Sequence, residues 1–125
     1  LARPLTGFGA GSFPLAFELY HSAPVTAGFV WDHAHSTYLS LWVQSGIIFG
    51  TLPMLAGGIV ARQLWQRSNQ PHFGQPLALA GLGALVLGAV HSLADFSLEI
   101  QANAFLILAL IALGLGPATK LKERQ

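Results

Sequence analysis

Three long apolar stretches, residues 39–61, 77–94 and 100–119, constrain this chain more than any other feature. Each is close to the ~20 residues that an α-helix needs to cross ~30 Å of hydrocarbon. They are apolar all round, without the polar face that a helix of a soluble bundle turns to water. Composition agrees: 53% of the residues are hydrophobic and 9% charged, against roughly 25% charged in an average soluble domain. The expected fold class is an all-α membrane protein: a polytopic transmembrane helix bundle with three predicted spans, preceded by an irregular or part-helical outer segment.

Charge sets the expected orientation. The polar, proline-containing run RQLWQRSNQPHFGQP separates the first two stretches and reads as a loop, and KLKERQ follows the third. Arg62, Arg67, Lys120, Lys122 and Arg124 thus flank one side, with only Arg3 on the other. The excess of Lys and Arg places the first side in the cytoplasm. The expected order is an outer segment 1–38, a span 39–61, a cytoplasmic loop 62–76, a span 77–94, an outer turn 95–99, a span 100–119 and a cytoplasmic tail 120–125. Glu18, Asp32, Asp95 and Glu99 then lie outside and Glu123 within, with Trp31 and Trp42 near the outer boundary and Trp65 at the inner one, where amphipathic rings collect. A net charge of +1 gives no pull towards nucleic acid, and a chain without cysteine has no disulfide or thiol chemistry. The sequence opens at Leu1 without the basic-then-apolar start of a signal peptide, so it is expected to be the C-terminal part of a longer polytopic protein.

Small residues indicate close helix packing. Gly46 and Gly50 in GIIFG, and Ala80, Ala84 and Gly88, recur at four-residue spacing and share a helical face. The glycines of RPLTGFGAGSF fit neither a P-loop nor a dinucleotide fingerprint. They read as a turn with exposed backbone or as an amide cradle for phosphate.

The candidate chemistry gathers on the outer side. His33 and His35 share a face of an extended segment, but a metal needs further ligands and Asp32 points the other way; neither metal nor cofactor is expected. Ser36 is a candidate N-cap for the following helix. His35 would then stand at the positive end of that helix, where the dipole disfavours imidazolium and a neutral ring can accept a proton. His91 and Asp95, four apart, would meet on a continuing helix and fix an imidazole tautomer. Asp95 and Glu99 form a second possible carboxylate pair. Arg3, the only cation expected outside, is suited to gripping phosphate.

RPLTGFGAGSF, HAHSTYLSLWVQSGIIFG and HSLADFSLEIQANAFLILALIALGLG together resemble the C-terminal part of the bacterial O-antigen ligase and O-antigen polymerase superfamily, over about residues 3–116. The most specific element is a histidine followed by a small polar residue, Tyr and Leu, then glycines entering a membrane helix. The resemblance implies a bacterial inner-membrane glycosyltransferase with its active face in the periplasm, so that segments 1–38 and 95–99 face that compartment. It implies transfer of glycan from an undecaprenyl-diphosphate carrier to a glycan, lipid A-core or protein acceptor. It makes His35 the catalytic residue and Arg3, His33, His91 and Asp95 substrate-binding candidates. The other partners implied are membrane lipid and upstream helices of the full-length protein. Ser36 stands where the family usually has Asn, and Gln44 where Glu is common. The family's other loop arginines are absent from these residues, so the isolated piece is expected to be inactive. From the residues alone, a transporter segment with His91 and Asp95 along a solute path is the alternative.

Overall fold

The computed structural model describes residues 3–21, 31–71 and 74–116. All regular structure among them is helical: α1 (Phe13–Tyr20), α2 (Thr37–Ser68), α3 (Gln75–His91), a 3₁₀ turn (Ser97–Glu99) and α4 (Gln101–Leu115). Of the basic and acidic residues used to orient the chain, Lys120, Lys122, Glu123 and Arg124 lie outside the described residues.

Among the described residues one helix, α2, is long and apolar enough to cross a membrane. Only 11% of its most apolar window is buried within the chain, whereas the core helix of a soluble protein would be largely covered. The other two expected spans form apolar helices of 17 and 15 residues, about 25 Å and 22 Å long at 1.5 Å per residue, short of the ~30 Å core. Of the three expected spans, one is thus a helix long enough to cross, and the other two are shorter apolar helices.

The long helix is not straight. Gly46 has φ +75° and ψ 170°, dividing α2 into arms 37–45 and 47–68. The arms fold back on one another: Trp42 Nε1 donates to Thr51 Oγ1 at 3.1 Å, although nine helical residues rise about 13.5 Å. A Cβ at Gly50 would sit 2.8 Å from Leu41 O. The longer arm alone is roughly 33 Å.

The break frees backbone groups, and the segment before α1 takes them up. Phe8 N–H donates to Val43 O and Gly9 N–H to Gln44 O, both at 2.9 Å, while Ile47 N–H donates to Pro4 O at 2.8 Å. Such satisfaction is what irregular backbone requires away from water. The approach needs glycine on both sides: a Cβ at Gly7 would lie 2.4 Å from Gln44 O and one at Gly46 2.2 Å from Leu5 O. The GIIFG glycines thus serve a sharp bend, not one continuous packing face.

α3 packs most extensively on α4, with the second arm of α2 across them. Leu64 is fully buried between two glycines: its side chain lies 3.3 Å from a Cβ built at Gly81 and 2.7 Å from one at Gly114. The close face of α3 carries Ala78, Gly81 and Gly88, all buried. Of the expected stripe only Gly88 belongs to it; Ala80 is exposed and Ala84 half-buried. At this end α2 runs on to Ser68, through what was expected to be loop from residue 62, because Leu64 and Ser68 continue its buried face. Arg67 then donates through Nη1 to Gly116 O at 2.7 Å, closing the carbonyl end of α4.

Candidate functional site

The candidate site lies where the start of α2 docks on the end of α3. A helix C-terminus leaves carbonyls without intrahelical donors, and the sequence SerThrTyr at 36–38 supplies them. Thr37 N–H is shared between Ser92 O at 3.1 Å and Asp95 O at 3.2 Å. Thr37 Oγ1 donates to Asp95 O at 3.2 Å, Ser36 Oγ to Ser92 O at 3.4 Å and Tyr38 Oη to Ala89 O at 2.7 Å. Ser36 does occupy the N-cap position, in extended conformation, but its hydroxyl does not cap its own helix. It is committed to α3 instead.

This docking fixes the register of 33–38 against 89–97, and the rings follow. His33 stacks on Phe96 with centroids 4.9 Å apart and planes 25° apart. His35 meets the same ring at 5.9 Å and 57°. Phe96 is therefore the common platform of the two histidines. Sequence reading missed it, and its place directly after Asp95 was the available signal.

His91 and Asp95 come together as their spacing suggests, with Nε2 3.0 Å from Oδ2. The route differs from a continuing helix: α3 stops at His91, and Leu93 N–H to Val90 O and Ala94 N–H to His91 O tighten the chain to Asp95. Both side chains are accessible, at 60% and 35%, so the pair is worth little as a structural bridge and is open to a ligand. Asp95 accepts from the Ser97 hydroxyl and from Phe96 N–H at 2.7 Å. The Ser97 bond first, then the Phe96 amide, hold its carboxyl below the ordinary value of 3.8 against an opposing desolvation, with His91 contributing least. Asp95 is thus an ionised acceptor that orients the His91 ring. Glu99 is not its partner.

Arg3 is outside this cluster. Its guanidinium carbon lies 5.6 Å over the Phe8 ring, a cation–π contact, and Phe8 in turn meets Tyr20 edge-on at 5.9 Å. Among the described residues Arg3 has no carboxylate partner, which leaves its charge available to an anion. The glycines beside it are less available: the amides of Gly7, Gly9 and Gly11 donate to Arg3 O, Gln44 O and Gln44 Oε1, so they do not form a phosphate cradle. Among the described residues no three His, Asp or Glu side chains are placed to share a metal.

No protein family, curated protein or solved structure matches this chain.

Proposed function

We propose that the chain is part of a polytopic bacterial inner-membrane glycosyltransferase of the O-antigen ligase or polymerase type, with the His35 end of the helices in the periplasm and three membrane-spanning segments. The observation that carries the reading is the convergence of His33 and His35 on Phe96, which directly follows Asp95 of the accessible His91–Asp95 pair. The HSTYL motif behind the family resemblance is also the stretch whose hydroxyls and amide build that convergence.

In the proposed reaction an acceptor hydroxyl attacks the anomeric carbon of an undecaprenyl-diphosphate-linked glycan. His35 takes the hydroxyl proton as the new C–O bond forms, and the bond to the diphosphate oxygen breaks with its electron pair leaving on the diphosphate. Arg3 contributes positive charge to that leaving group. His33, His91 and Asp95 orient the substrates, the last two as a pair with a fixed imidazole tautomer. Preceding helices complete the site, so this chain alone does not turn over. A transporter reading draws support from the broken helix, since such breaks can coordinate ions. Here Val43 O and Gln44 O are already taken by Phe8 and Gly9 amides, which favours the transferase.

His35→Ala in the full-length protein is expected to lower glycan transfer by about 10² to 10⁴, the usual contribution of a general base, with unchanged membrane insertion. Transfer at the wild-type rate would overturn the assignment.

A further inference from the structure

Beside the histidine cluster a pocket of about 360 Å³ opens between four separate parts of the chain. Phe13 comes from α1, Asp32 and His33 from the segment before α2, Ser40 and Gln44 from its first arm and Glu99 from the 3₁₀ turn. The volume falls in the range of small-molecule sites. What matters is the chemistry of the walls.

Four of the wall residues are held in place by their neighbours. Gln44 Oε1 accepts from Gly11 N–H at 2.7 Å and its Nε2 donates to Ser40 Oγ at 2.7 Å, which leaves the second amide hydrogen without a partner among the described residues. Ser40 is itself 97% buried by the same packing, at 3% exposure. His33 is fixed by its stack on Phe96 and Phe13 by a stack on Phe17 at 5.7 Å. Asp32 and Glu99 are exposed and, among the described residues, have no side-chain partner, so their acceptor oxygens are uncommitted.

These walls select a ligand class. Two carboxylates repel an anion. A metal is disfavoured because, among the described residues, no three acidic or imidazole groups are placed to share one. What fits is a neutral molecule rich in hydroxyl donors, with an apolar face for the aromatic ring and an acceptor for the free amide hydrogen. A pyranose has all three.

We propose that this pocket is a sugar-binding subsite, in which Asp32 and Glu99 accept hydroxyl protons, Gln44 donates to a ring or hydroxyl oxygen and Phe13 covers the C–H face. Identifying the bound sugar as the acceptor glycan rests on the transferase reading above; sugar binding itself does not. The pocket adjoins the base directly, because His33 both lines it and shares the Phe96 ring with His35.

The test uses the full-length protein in nanodiscs, with saturation-transfer NMR on methyl glycosides of glucose, galactose and N-acetylglucosamine. At least one glycoside is expected to bind. Glu99→Gln and Asp32→Asn, near-isosteric and checked by circular dichroism, should each weaken it about tenfold, the size of a lost hydrogen bond to a charged group; Arg62→Gln, on α2 away from the pocket, should not. Absence of binding by all three glycosides, or binding indifferent to both carboxylate changes, overturns the proposal. So does tight binding of calcium alone that Asp32→Asn removes. If His35→Ala abolishes transfer while glycoside binding is absent, or indifferent to both Glu99→Gln and Asp32→Asn, the pocket is overturned and the transferase stands. Sugar binding that depends on Glu99, alongside transfer that ignores His35, overturns the transferase and leaves the pocket.

Discussion

α3 and α4 face the same problem at their C-termini and solve it differently. α4 ends on a single guanidinium: Arg67 reaches Gly116 O at 2.7 Å and Gly114 O at 3.5 Å. α3 and the turn that follows it end on four neutral donors from one short stretch, the Thr37 amide and the hydroxyls of Ser36, Thr37 and Tyr38. A charged cap concentrates the stabilisation in one long side chain and fixes little else. The distributed cap locks residues 36–38 against 89–95, and that lock brings two histidines onto Phe96. One cap ends a helix; the other also builds a site.

The sharpest way to break this contrast is to disturb the bend behind the distributed cap. Gly46→Ala sets an L-residue at φ +75° against Leu5 O, adding about 1–2 kcal/mol of left-handed strain and endangering three backbone hydrogen bonds of about 1 kcal/mol each. A loss of about 3 kcal/mol or more is expected in thermal unfolding in detergent. Arg67→Met removes the whole charged cap and is expected to cost roughly 1.5–3 kcal/mol, without moving the His33 and His35 imidazole resonances. Tyr38→Phe removes one of four neutral donors and is expected to cost about 1 kcal/mol, yet to shift both resonances. Equal costs for the last two would erase the distinction between concentrated and distributed caps.

The smallest effect is electrostatic. Because the Asp95 carboxyl is held below its ordinary value of 3.8, its stabilisation of the 95–97 turn is full above that value and is lost as pH falls through the lowered one. Melting followed from pH 5 down to pH 2 should show the turn weakening only below about pH 4. Ser97→Ala should reduce that dependence more than His91→Ala does, since the Ser97 hydroxyl is the larger cause.

The helical architecture was legible because apolar runs and polar breaks report directly on what can be buried. The end of α2 was placed seven residues early, since hydropathy fades after Ala61 while the Leu64 and Ser68 face persists. The Gly46 break was not read, although GlnSerGly at 44–46 interrupts an otherwise apolar run. Its meaning depends on contacts with residues 4–9, which no local pattern contains. His91 and Asp95 were found by spacing, which survives a change from α-helix to tighter turns. The Phe96 platform and the Asp32–Glu99 pocket were not, because they join segments more than sixty residues apart.

The Gly46 interruption has a kinetic consequence. The Val43 and Gln44 carbonyls and the Ile47 amide bond to the Phe8 and Gly9 amides and the Pro4 carbonyl, so neither segment of this exchange can detach without stranding backbone polar groups of the other. Peeling away the leading segment and loosening the elbow of the long helix are therefore expected to be one cooperative opening, with the amides of Phe8, Gly9 and Ile47 similarly protected from hydrogen exchange.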